Sequence, residues 1–157
     1  MNKAVISAMA VIASVAGSQT SAAEFEDNGL TIITDNFKVE ERKQDEKSIL
    51  IVKQDNEIGT LGDRVVVSGE KNPNHIAYVK NANNHNFIIK NKLIVQCRKH
   101  QNCIPSGLNS EQISKNIYEI TVENYDQWKS LQKELSNTAG VINVAPSLYD
   151  GSNIELR

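Results

Sequence analysis

The chain has 157 residues, with 17 Lys or Arg against 19 Asp or Glu and a formal net charge of −2. So even a balance offers no electrostatic footprint for nucleic acid or an anionic membrane surface. The length suits one domain, or one small domain with an extension.

Residues 1–23, "MNKAVISAMAVIASVAGSQTSAA", read as a secretory signal peptide. Lys3 precedes an apolar run over residues 4–16, and Ser21, Ala22 and Ala23 supply the small side chains of a cleavage site. The run is short for a membrane span, and no later stretch is apolar enough for one. A soluble, exported mature chain of residues 24–157 is expected.

The next segment, residues 24–91, is expected to be a β-rich N-terminal extension. "GLTIIT", "SILIVK", "RVVVSG" and "HIAYVK" are compact β-branched runs. The mixed-charge run at 38–47 reads as a solvated loop or exposed face. "QDNEIGTLGD" reads as a separator between strands, with Gly59 and Gly62 free to take turn conformations. "NANNHN" reads as the connection of a hairpin into "FIIKNKLIVQC".

Residues 92–145 are expected to be a small α+β domain. Cys97 and Cys103 in "CRKHQNC" read first as a disulfide in an exported chain, worth roughly 2 kcal/mol in the chain-entropy model. The alternative is a metal site that adds His100, although zinc normally takes four ligands. Asn109, with Gln112 three residues on, predicts a short capped helix. "IYEITV" alternates as a strand with one buried face. Asn124 and Gln127 form a capping-box pattern that opens a longer helix, with Tyr125, Trp128, Leu131 and Leu135 on one side. Gly140 is expected to end that helix, and "VINVA" to follow as a strand. Pro146 has no N–H to donate, so pairing is expected to stop there. Strand, helix and strand in that order predict a right-handed crossover between parallel strands.

Catalytic equipment is missing from the pattern. There is no nucleophile elbow, no phosphate-binding glycine loop and no HExxH pair. His85 and His100 fall in polar loops, His75 starts a strand, and Glu123 and Asp126 suit the positive end of the helix dipole. These observations predict a non-enzyme without a cofactor.

Three segments carry a family resemblance over roughly the last 65 residues. "NKLIVQC", "IYEITVENYDQWKSLQKEL" and "NTAGVINVAPSLYDG", in that order, resemble the propeptides of subtilisin-type serine proteases. The resemblance implies a ferredoxin-like α+β fold, a small sheet with two helices on one face and the protease on the other. It also implies an extended tail that runs through the protease cleft as a product-like peptide. The tail would be Pro146, Ser147, Leu148, Tyr149, Asp150, Gly151, Ser152, Asn153, Ile154, Glu155, Leu156 and Arg157. No catalytic domain follows here, so the resemblance implies a propeptide acting in trans. It would act as chaperone and inhibitor of a secreted, kexin-like subtilisin-type protease in a 1:1 complex, in the periplasm or secreted with it. A pure inhibitor and a structural periplasmic β-protein remain as alternatives.

Three features depart from the family pattern. Ala145, Pro146 and Ser147 replace the acidic residues that follow the family's last strand. Only one strand is expected between the helices, where the family has a hairpin. The tail is also several residues longer.

Overall fold

A computed structural model describes residues 23–41 and 56–152. The expected signal peptide up to residue 22 and the expected strand at 48–53 lie outside them. So does the end of the expected tail, from Asn153 to Arg157.

Among the described residues, ten strands and one helix follow in chain order. They are β1 (Glu24–Asp27), β2 (Leu30–Ile33), β3 (Phe37–Glu41), β4 (Glu57–Leu61), β5 (Arg64–Ser68), β6 (His75–Lys80) and β7 (Phe87–Cys97). Then come β8 (Ser110–Ser114), β9 (Ile117–Thr121), α1 (Tyr125–Ser136) and β10 (Val141–Tyr149). Every paired strand is antiparallel to its neighbour. A seven-stranded sheet runs β1-β2-β6-β7-β9-β8, with β10 on the free side of β7, and a three-stranded sheet runs β3-β5-β4.

The 11-residue β7 organises the large sheet. One of its edges is shared, with β6 against residues 87–90 and β9 against 92–96. β10 lines the other edge from Cys97 back to Ile88. Both β9 and β10 therefore run antiparallel to β7 and parallel to each other, with β7 between them.

α1 forms where its caps and apolar spacing predict. The Asn124 side chain accepts from the Gln127 N–H at 2.8 Å, and the Gln127 side chain accepts from the Glu123 N–H at 2.7 Å. Leu131, Leu135 and Tyr125 are buried against Leu93, Val95, Cys97 and Ile120 of the sheet. Each such aliphatic side chain contributes roughly 1.5–3 kcal/mol before its entropy cost. A second core lies between the sheets, where Ile33, Tyr78 and Ile88 meet Phe37, Leu61 and Val66. Tyr78 crosses that gap. Its hydroxyl donates to the Thr60 carbonyl at 2.6 Å and accepts from Asn86 Nδ2 at 3.3 Å, and burial pushes its pKa up to about 12.

The α+β expectation is overturned. Strand accounts for 51% of the described residues and helix for 10%, so these residues, in two sheets with a single helix, are mostly β. Three local misreadings explain the difference. The predicted helix after Asn109 is the exposed strand β8, paired with β9 through a turn at Asn116, whose φ is +62°. Its cap signal has no apolar stripe behind it, so a helix would have had nothing to bury. The "separator" at 54–63 contains β4, whose residues 57–61 pair with β5. Pairing also continues past Pro146. β10 is an edge strand, and it absorbs the proline with a register shift between Pro146 and Leu148. The free tail therefore does not start at Pro146. The expected division at residue 91 falls inside β7, so the strands of 24–33 and 75–80 share one sheet with β9 and β10.

Candidate functional site

Alternation along β7 sorts its side chains onto two faces. Leu93 and Val95 point to α1 with their cross-strand neighbours Ile120 and Val144. Lys92, Ile94 and Gln96 point the other way, beside Thr121, Glu119 and Ile117 of β9 and Ala145 and Asn143 of β10. Ile94 and Ile117 belong to neither core cluster, and all of these residues keep some exposure. Lys92 Nζ lies 3.5 Å from Glu119 Oε1 and donates to Thr121 Oγ1 at 2.8 Å. Among the described residues, the result is a half-exposed face of mixed polarity, with Ile94, Ile117 and Ala145 beside the Lys92–Glu119 ion pair. Such a face can dock a partner whose surface is itself flat and mixed in polarity.

The expected tail residues divide. Pro146, Ser147, Leu148 and Tyr149 are strand, paired to residues 88–93 of β7. Tyr149 packs into the core between the sheets and stacks on His75, ring centroids 6.1 Å apart. Asp150 and Gly151 then meet the two-residue turn between β4 and β5. Gly151 is buried with φ +91°, and a Cβ on it would run into the Leu61 carbonyl oxygen. Gly62, at φ +58°, faces back, where a Cβ would lie 2.9 Å from the Asp150 carbonyl oxygen. Arg64 Nε donates to the Gly151 carbonyl at 3.2 Å. The Asp150 carboxylate accepts from the Ser152 N–H at 3.0 Å, which holds its pKa below the usual 3.8. Sequence reasoning missed this contact. The signal was present in Leu148 and Tyr149, where strand-forming side chains resume after the proline.

Cys97 and Cys103 form a disulfide, which settles the choice against the thiolate metal site. It ties the end of β7 to the loop beneath Gly140. Gly140 therefore serves this loop rather than capping α1, whose C-cap is Asn137. A Cβ on Gly140 would sit 3.2 Å from Cys103 Cβ and 2.8 Å from Gln101 Oε1. His85 and His100 are exposed, and His75 is buried beside Tyr149. Among the described residues, no group of three or more His, Cys, Asp or Glu is placed to hold a metal, and no helix is long and apolar enough to cross a membrane.

Compared with protein-family models, curated proteins and solved structures, the chain finds no match.

Proposed function

We propose that this chain is an exported chaperone and inhibitor acting in trans on a secreted, kexin-like subtilisin-type serine protease, as a 1:1 complex. The observation that carries the reading is the two-faced sheet around β7. α1 seals one face, while on the other, beyond the part at Ile88 that meets the three-stranded sheet, Ile94, Ile117 and Ala145 are only half-buried among the described residues. β10 runs along the same sheet and delivers the C-terminal residues at its end.

In this reading the open face docks on the folded protease. A chain that binds the native protease and not its unfolded form stabilises the native form by mass action, by about 2.7 kcal/mol at a concentration 100 times Kd. Residues 153–157 enter the substrate cleft as an extended peptide, pairing backbone with cleft edges. Arg157 anchors them, since a protease selective for basic residues offers an acidic pocket to a guanidinium. No cofactor takes part. The disulfide fits an oxidising compartment, the periplasm or outside.

The test is to refold such a protease with and without this chain. The yield of active enzyme should rise, and the fresh complex should stay inactive until the chaperone is degraded. Inhibition with no gain in yield would reduce the role to that of an inhibitor. No binding to any subtilisin-type protease would refute both and leave a structural protein.

A further inference from the structure

We propose that the three-stranded sheet exists to aim the C-terminal peptide. The turn at 61–64 clamps Asp150 and Gly151, and so fixes the backbone up to Ser152, immediately ahead of the residues that would fill the protease cleft. The inference rests on the reading above that those residues fill the cleft.

The contact is backbone against backbone. Gly62 and Gly151 both have positive φ, and a side chain on either would strike the opposite segment. Two glycines on opposite sides of one contact let the backbones approach more closely than side chains would allow without a shift. Arg64 adds a directional bond to the Gly151 carbonyl, and the Asp150 carboxylate fixes the next amide, that of Ser152. Upstream, Tyr149 is held by the inter-sheet core and by His75. Three successive residues are thus immobilised just before the terminal segment. A peptide that starts from a fixed base loses less conformational freedom on binding than one on a flexible linker, so it binds more tightly without any new contact. On this account Arg64, Gly62 and Gly151 are positioning residues for inhibition and touch no part of the protease.

The experiment compares the full chain, a chain truncated after Ser152, and Gly62→Ala and Arg64→Ala variants in both backgrounds. Each is assayed against a purified kexin-like subtilisin-type protease on a chromogenic peptide ending in arginine. NMR order parameters at Gly151 and Ser152 are measured on each chain alone, and circular dichroism checks the fold. Both substitutions should lower those order parameters. In the full chain each should weaken inhibition about tenfold, the scale of lost preorganisation. In the truncated chain neither should weaken it further. Unchanged order parameters overturn the clamp whatever the protease does. If truncation weakens inhibition but the substitutions do not, the clamp fails and the cleft-filling reading stands. Equal losses in both backgrounds make the substitutions generally structural, which also overturns it. If truncation itself changes nothing, the cleft-filling reading fails and the clamp fails with it.

Discussion

Single side chains tie together segments that are far apart in sequence. Asp27, at the end of β1, accepts hydrogen bonds from Lys129 Nζ and from the Tyr125 hydroxyl at 2.8 Å, joining the N-terminal hairpin to α1. The Lys129 bond, then the Tyr125 bond, hold its pKa below the usual 3.8. Burial first, and then Asp27, push Tyr125 up to about 12. Because folding favours the ionised carboxylate, Asp27 stabilises the protein above its unfolded pKa, and that contribution is lost as pH falls through the lower, folded value. Asp27→Asn should therefore lower the melting temperature at neutral pH, with the gap to the parent chain closing as the pH falls below the usual 3.8. Melting curves over a pH series check this, and a gap that is constant down to acid pH would assign the loss to packing. None of this network was legible in the sequence. The partners are about a hundred residues apart, and only the pairing of β1 with β2 brings Asp27 to the helix.

Elements announced themselves in the sequence when local and tertiary signals agreed. α1 had caps, a face and a length, and it formed with the side chains on the expected side. Replacing its N-cap, Asn124→Ala, should cost about 1 kcal/mol, read as a lower urea midpoint with an unchanged slope. The Asn-rich connection between β6 and β7 was equally plain. Asn81 Oδ1 accepts from the amides of residues 83 and 85 while Asn84 takes φ +64°. β4 and β8 misled for a shared reason. Each has weak local β character and owes its strand form to a partner, β5 or β9, that a linear reading cannot supply. Gly59 looked like a turn glycine, yet it lies in β4 where Tyr78 crosses, and a Cβ there would collide with the Tyr78 hydroxyl.

At the scale of the molecule, the soft boundary near residue 91 misplaced the joint. The main core draws Ile32, Ile76, Ala77, Val79 and Ile89 from before that point and Leu93, Ile120, Leu131 and Leu135 from after it. A fragment of residues 92–157 would split β7 and forfeit those five side chains of the cluster. It should show no cooperative thermal transition, whereas residues 23–157 should unfold in one step with near- and far-ultraviolet signals coinciding. A cooperative fragment would mean that the C-terminal half carries its own core after all. The candidate docking face was partly legible, since alternation in "IYEITV" and "KLIVQC" separates two faces. Which of them stays uncovered depends on where α1 and the second sheet land, and that information is tertiary.

β10 carries a further consequence for life at high concentration. A nine-residue border strand with Ile142 and Leu148 exposed is the kind of margin on which identical chains stack into fibrils. Pro146 interrupts that margin with a residue that has no N–H to offer an added strand. The imino acid that looked like the end of the fold thus fits the part of a gatekeeper, set against the polymerising of a sheet-rich chain with its own copies.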